Sequence, residues 1–187
     1  MTNIAVLASH NGTNIDAIIE AIKTKHLDAK LSLIITNNTN ANVLQKAKSF
    51  KIDSYVVNTN NFPYPDEAIA NLLQQYHCDF VVLAGYMKKL SSLITDNFNV
   101  INSHPSLLPK YGGTGMYGRF VHEAVIANKE TKSGVSIHFV NEEYDDGKII
   151  LQKEIALDEN ETIDSLEKKV KEIEKKAIVE ALKKCLK

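Results

Sequence analysis

The chain has 187 residues, of which 44% are hydrophobic and 24% are charged. This length supports one sizeable hydrophobic core but is short for two full domains. Twenty-two basic and 23 acidic residues give a formal net charge of −1. Because this composition creates no strong field that would attract nucleic acid or an anionic membrane, we expect small molecules as partners.

Cysteine usage and the apolar runs bear on the location of the protein. Cys78 and Cys185 lie far apart without CxxC or metal-ligand spacing, which is typical of free thiols in a reducing compartment. No basic residue precedes the first apolar residues, and the longest strongly apolar run, at 80–84, is much shorter than a membrane span. These features predict a cytoplasmic protein. Separately, no spacing of His, Cys or Asp residues suggests a metal site.

The first half of the chain alternates apolar runs with amphipathic stretches. Short apolar runs typical of buried strands lie at residues 4–8, 31–35, 54–57 and 80–84. Apolar residues recur with a helical period between these runs, at 15–22, 43–47 and 69–76. Thr13 or Asn14 is expected to cap the first helix. The last run is the most apolar, so we expect it at the centre of a parallel sheet with right-handed crossovers.

The second half mixes parallel and antiparallel features. Further elements are expected as a short helix at 93–94, a strand ending at Asn102, a helix at 120–128, strands at 134–140 and 149–155, and a long amphipathic helix at 163–186. An acidic turn joins the last two strands, which predicts an antiparallel pair. The whole pattern predicts an α/β, Rossmann-like fold. Its mostly parallel twisted sheet would carry helices on both faces and an antiparallel extension in the C-terminal half.

The stretch 102–109 places an amide, an imidazole and two prolines directly after an apolar pair. Proline cannot donate to a β ladder, so Asn102 and His104 should lie at the carboxyl end of a strand, where open α/β sheets bind ligands. An imidazole can exchange a proton, an amide can donate to an oxyanion, and a carboxylate such as Asp145 favours the charged imidazole. This set suits direct acyl transfer to an amine. On these residues alone, a structural histidine and a simple turn aspartate remain open.

A glycine-containing loop at 9–14 joins the first strand to the first helix. Backbone N–H groups at a helix N-terminus stabilise a phosphate, and Gly12 would let the backbone approach that anion. The loop matches neither the GxGxxG nor the Walker pattern, and no lysine follows it as in a P-loop. Phosphate binding and a plain tight turn therefore both remain open.

The stretch 102–109 closely resembles the Asn-x-His-Pro-Ser-Leu-Leu-Pro signature of the formyltransferases that use 10-formyltetrahydrofolate. Residues 134–140 with 144–147 are similar to a second signature of this family, and residues 9–14 resemble its substrate-phosphate loop. The resemblance covers essentially the whole chain. It implies transfer of the formyl group of 10-formyltetrahydrofolate to the amine of N1-(5-phosphoribosyl)glycinamide through a tetrahedral intermediate, a step of de novo purine (IMP) biosynthesis.

The resemblance also implies roles for individual residues. His104 would be the general acid/base, Asn102 would hold the formyl oxygen and the oxyanion, and Asp145 would favour the charged imidazole and relay protons through water. Contacts to the ribonucleotide are expected from Gly12, Thr13, Asn14 and Glu174. Contacts to the folate are expected from Met87, Lys88, Lys89, Leu90 and Asn102.

We expect one domain over residues 1–187, with 1–100 as the phosphate-binding half and 101–187 as the catalytic and folate-binding half. The chain departs from the family pattern at His10, at Lys88-Lys89 and at 63–66, where an arginine is common, so binding should differ there. The alternatives are a 10-formyltetrahydrofolate hydrolase, a formyltransferase acting on another amine, and a nucleotide-binding module without activity. A monomer and a homodimer are both open, as is the conformation of the loop 112–118.

Overall fold

A computed structural model describes residues 1–186, which contain seven strands and six helices. In chain order these are β1 (Thr2–Leu7), α1 (Thr13–Lys23), β2 (Ala29–Thr36), α2 (Val43–Phe50), β3 (Asp53–Val56), α3 (Pro65–Gln75), β4 (Phe80–Leu83), α4 (Ser92–Thr95), β5 (Asn99–His104), α5 (Arg119–Ala127), β6 (Lys132–Phe139), β7 (Ile149–Ala156) and α6 (Ile163–Cys185). The strands form a mixed sheet with the order β3-β2-β1-β4-β5-β6-β7. The predicted α/β class, with a mostly parallel sheet and an antiparallel C-terminal part, is confirmed.

The described residues divide into two compact units, one of residues 1–101 with 186 and the other of residues 102–185. The single domain expected over 1–187 stays a prediction, and its last residue, Lys187, lies outside the described residues.

The first unit is a parallel sheet that is buried through its central strands. β1 pairs in parallel with β2 and with β4, and β2 pairs in parallel with β3. The residues from Ile4 to Leu7 are fully buried, which explains why this part of β1 is a continuous apolar run rather than alternating. β4 is the fourth of seven strands in the sheet order, so the central position predicted for the run 80–84 is confirmed.

The second unit contains the predicted antiparallel pair, β6 with β7. Two glycines allow this pair to form. A Cβ on Gly134 would lie 2.0 Å from the carbonyl oxygen of Lys153, and one on Gly147 would lie 1.7 Å from that of Phe139. The structure buries every residue of β6 from Ser133 to His138. The polar side chains of β6 are therefore interior groups.

The long helix α6 closes the core of the second unit. Leu166 and Val170 pack against Val121 and Val125 of α5. Its buried face also includes Ile178 and Leu182. Among residues 1–186, no helix combines the length and the apolar character needed to cross a membrane.

Two predicted boundaries were wrong. The cap of α1 is Gly12, which has left-handed backbone angles of φ 55° and ψ 55°, whereas Thr13 and Asn14 are the first residues of the helix. The strand β5 continues past Asn102 to His104. Pro105 explains this extension, because a proline biases the residue before it towards extended angles.

Candidate active site

His104 is the last residue of β5 and is 3% exposed. Its Nε2–H donates to the carbonyl oxygen of Tyr111 at 2.7 Å, and its Nδ1 lies 3.3 Å from Oδ2 of Asp145. Both ring nitrogens thus face oxygen acceptors. This arrangement provides a partner for each N–H when the imidazole carries both protons.

Asp145 joins three groups from separate parts of the second unit. Its Oδ2 accepts the backbone N–H of Gly113 at 3.0 Å and lies near His104, while its Oδ1 lies 3.5 Å from Nε2 of His138. Burial raises the pKa of Asp145. The hydrogen bond from His104, together with the nearby His138 and, to a lesser degree, the N–H of Gly113, outweighs burial and holds this pKa well below its ordinary value. The carboxylate is therefore ionised at neutral pH.

His138 orients the amide of Asn102. Nδ1–H of His138 donates to the carbonyl oxygen of Phe139 at 2.8 Å, so Nε2 of the neutral ring is an acceptor. The Nδ2 of Asn102 lies 3.3 Å from this Nε2 and donates to it. The second N–H of the same amide can then donate to a substrate oxygen. His138 is 2% exposed. The sequence left a supporting site residue and a structural histidine both open for it, and its contact with Asn102 favours the former.

In the glycine-rich loop after His104, a side chain at position 112 would crowd Leu108 and Asp145. A Cβ on Gly112 would lie 2.5 Å from Cδ2 of Leu108 and 3.3 Å from Cβ of Asp145. Tyr111 and Asp145 themselves have positive φ values, both 56°. Non-glycine residues rarely adopt this conformation, and such residues concentrate at functional sites.

The turn after His104 is fixed by buried polar contacts. The Ser136 hydroxyl donates to the carbonyl oxygen of Ser106 at 2.7 Å and accepts the N–H of Leu108 at 3.0 Å. Gln152 donates to the carbonyl oxygen of Leu108 at 2.9 Å and to the Ser136 hydroxyl at 2.8 Å. These bonds explain why a serine and a glutamine stand at facing positions of β6 and β7.

In the first unit, the loop 9–14 is built from its backbone. A Cβ on Gly12 would lie 2.7 Å from Cδ1 of Ile15 and 2.9 Å from Cγ2 of Val43, so close packing and the positive φ both require glycine. The following two residues begin α1, with Thr13 exposed and Asn14 buried. The N-terminus of this helix favours an anion by its dipole and its N–H groups.

The start of α2 flanks this loop. The N–H of Val43 donates to the carbonyl oxygen of His10 at 3.0 Å, and Asn42 donates to Asn11 at 2.8 Å. Lys46 pairs with Asp16, and its ammonium lies 3.5 Å from the carbonyl oxygen of Gly12. The sequence shows no lysine directly after the loop, but the fold brings one beside it from α2.

The expected folate-lining stretch follows β4. Met87, Lys88 and Lys89 are exposed, whereas Leu90 is buried. The N–H of Met87 donates to the hydroxyl of Ser9 at 2.7 Å. This bond ties the expected folate stretch to the start of the loop 9–14.

The region 63–66, where the family often has an arginine, makes structural contacts in this chain. Asp66, at the start of α3, accepts the backbone N–H of Ser91 at 2.7 Å. Burial, and to a lesser degree the charge of Asp66, raises the pKa of Tyr86 to about 12, so this phenol stays neutral. Asp66 therefore supports the segment that follows β4.

The structure thus joins Asn102, His104 and Asp145 within the second unit and adds His138 to them. In the same unit, Glu174 is a half-buried residue of α6. The two expected substrate segments, 12–14 and 87–90, belong to the first unit. In the part of the chain described, no three His, Cys, Asp or Glu side chains are grouped so that they could hold a metal ion.

The fold and this site define a Rossmann-like α/β protein with an acid–base centre at a strand end. Comparison with known proteins agrees with this class: the model of the formyl transferase family matches residues 2–182. A relative named phosphoribosylglycinamide formyltransferase, from Haemophilus influenzae, is 38% identical over 179 residues, covering 93% of this chain and 82% of the relative. A relative of the same name from Bacillus subtilis is 30% identical over 191 residues, covering 100% and 95%.

Solved structures lead to the same family. The crystal structure of phosphoribosylglycinamide formyltransferase from Bacillus Halodurans superimposes with a TM-score of 0.90 at 30% identity, covering 99% of this chain and 95% of that one. The chain belongs to the formyl transferase family.

Proposed function

We propose that the chain is an enzyme that transfers the formyl group of 10-formyltetrahydrofolate to the amine of N1-(5-phosphoribosyl)glycinamide. This is the activity named for its relatives and is a step of purine biosynthesis. The observation that carries the proposal is the grouping of Asn102, His104 and Asp145 in a chain that matches the family over almost its whole length. The folate supplies the formyl group; the steps below concern the residues of the chain.

His104 exchanges the protons of the reaction. The attacking amine must lose a proton and the leaving nitrogen must gain one, and an imidazole does both near neutral pH. Because Asp145 occupies the Nδ1 side of the ring, exchange takes place at Nε2, which now donates to the carbonyl oxygen of Tyr111. The segment around Tyr111 therefore has to release His104 when the substrates bind.

Asn102 and Asp145 stabilise the two charges that develop during formyl transfer. The Asn102 amide, held by His138, donates an N–H to the formyl oxygen as that oxygen becomes negative. Asp145, ionised and fixed by Gly113, stabilises the positive charge that His104 acquires. Asp145 also relays protons to and from His104 through water.

Apart from the contact of Asn102 with the formyl group, substrate binding is assigned to groups outside this centre. Gly12, Thr13 and Asn14 bind the phosphate of the ribonucleotide at the start of α1, and Glu174 also contacts the ribonucleotide. Met87 and Leu90 give apolar contact to the folate, while Asn102 reaches its formyl group. Lys88 and Lys89 place exposed cations where they suit the anionic tail of a folate. The proposed location is the cytoplasm, and a monomer or homodimer would both be compatible with this site.

The deciding experiment measures spectroscopic release of tetrahydrofolate by the purified chain, with and without glycinamide ribonucleotide. Release that requires the ribonucleotide is expected. Release without it would mean a hydrolase, and no release under either condition would mean a module without this activity. His104→Ala serves as the control for a contaminating enzyme.

A further inference from the structure

Ser9 is a buried hydroxyl at the end of β1, and it is 1% exposed. Its Oγ–H donates to Oδ1 of Asn37 at 2.5 Å, and its Oγ accepts the backbone N–H of Met87 at 2.7 Å. The hydroxyl thus uses both its donor and its acceptor on segments that follow two other strands, β2 and β4. Neither contact has any part in the acid–base chemistry assigned above.

The backbone of Ser9 is held separately. Its N–H donates to the carbonyl oxygen of Gly85 at 3.1 Å, and its carbonyl oxygen accepts from Nδ2 of Asn38 at 3.4 Å. These bonds do not involve the hydroxyl. Removal of the hydroxyl would therefore leave the loop 9–14 attached while it frees the backbone at Met87.

Asn37 is fixed in turn. Its carbonyl oxygen accepts Nδ2 of Asn58 at 3.0 Å, from the loop after β3. Hydrogen bonds therefore run from the Ser9 side chain to the Asn37 side chain, and from the Asn58 side chain to the Asn37 backbone, across the carboxyl ends of the first three strands. Because the serine hydroxyl is anchored at Asn37, it presents a fixed acceptor to Met87.

We propose that Ser9 is a positioning residue for the folate, although it belongs to the loop expected to bind the ribonucleotide. Its hydroxyl fixes the backbone of Met87 and thereby the segment 87–90. That the segment 87–90 binds the folate rests on the proposed function. The physical basis is preorganisation: a segment held in its binding conformation loses less entropy when the ligand arrives.

The first test needs no substrate. In Ser9→Ala, the N–H of Met87 loses its acceptor, so its hydrogen exchange measured by NMR should accelerate by at least about tenfold. The N–H of Ala84 donates to the carbonyl oxygen of Leu7 at 2.8 Å in the same region, and its exchange should be unchanged. Equal protection of Met87 in both proteins would overturn the proposal.

The second test separates positioning from a general loss of structure. In Ser9→Ala, the KM for 10-formyltetrahydrofolate and the Kd for tetrahydrofolate should rise by about five- to twentyfold, while the KM for the ribonucleotide stays within about twofold. A merely structural role would lower kcat through a smaller folded fraction and would leave both KM values unchanged. That outcome would contradict the assignment.

Two further variants keep the test decisive if Ser9→Ala folds poorly. Asn37→Ala removes the acceptor of the Ser9 hydroxyl but leaves the bond from Met87, so the KM for the folate should rise less than in Ser9→Ala. Asn37→Asp keeps an acceptor for the hydroxyl, so its KM for the folate should return to that of the unmodified chain. Ser32→Ala is the matched control, because Ser32 donates to Oδ1 of Asn3 at 3.0 Å elsewhere in the same unit. If the unmodified chain bound tetrahydrofolate but transferred no formyl group, the proposed function would fail while the exchange and binding tests of Ser9 remained valid.

Discussion

The proposed catalytic centre and the loop 9–14, to which we assign the ribonucleotide phosphate, both fix polar groups in space, but by different means. In the centre, side chains hold one another: His138 holds Asn102, and Asp145 lies between two histidines. In the loop 9–14 the groups that face the proposed phosphate are backbone N–H groups, and Gly12 adopts the left-handed angles that the turn requires. A centre of side chains should respond sharply to single substitutions, whereas a backbone loop should tolerate changes such as His10 as long as its glycine remains.

The largest effect is expected from His104→Ala. Loss of general acid–base function should lower kcat by about two to four orders of magnitude, with KM values changed much less. Steady-state kinetics with both substrates would measure this. His26→Ala, at an exposed histidine of the same chain, is the control and should behave as the unmodified enzyme. A His104→Ala enzyme with near-normal turnover would refute the mechanism.

Asp145→Asn should lower kcat by about two orders of magnitude, because the amide cannot stabilise the charge on His104. The same substitution should change the acid dependence of folding. The pKa of Asp145 in the folded state lies below its ordinary value, so its stabilisation is present above about pH 4 and is lost as the pH falls further.

Urea unfolding between about pH 2 and pH 7 would measure that difference. The free energy of unfolding of the unmodified chain should fall more steeply below about pH 4 than that of Asp145→Asn. If the two curves ran parallel, the contacts of the carboxylate with the histidines and with the backbone N–H of Gly113 would add nothing to the free energy of unfolding.

The difference between the two regions also explains what could be predicted from the sequence. Strands and helices were predictable, because hydrophobic periodicity is local. The signature stretches, which are also local, indicated Asn102, His104 and Asp145, and the catalytic roles of these residues stay predictions. The cap at Gly12 was not predictable, since the helix begins at a backbone conformation and not at a capping side chain. His138 lies 36 residues from Asn102, and Lys46 lies 34 residues from Gly12, so only the fold shows these contacts.

Gly12→Ala should produce an intermediate effect. An alanine there must adopt a left-handed conformation and meet Ile15 and Val43 within 3 Å, which should cost about 2 kcal/mol of stability. The KM for the ribonucleotide should rise because the first turn of α1 shifts. The control is Gly115→Ala, where φ is also positive but no atom lies within 4 Å of an added Cβ. Equal losses in both variants would mean that packing at Gly12 is unimportant.

The smallest effect is expected from Lys46→Met. The ammonium lies beside the loop that we assign to a phosphate, and its removal leaves the carboxylate of Asp16 unbalanced near that anion. Because the pair is partly exposed, the KM for the ribonucleotide should rise only about two- to fivefold. The rise should be largest at low salt, where charges are least screened.

Two variants make the Lys46 result specific. Lys48→Met removes an exposed charge from the same helix and should leave the KM unchanged. Asp16→Asn combined with Lys46→Met should recover part of the lost affinity, since it removes the carboxylate left without its cation. If Lys46→Met and Lys48→Met had the same effect at every salt concentration, the ribonucleotide loop would bind its phosphate by backbone alone. The loop would then act through its backbone alone, whereas the proposed catalytic centre acts through side chains.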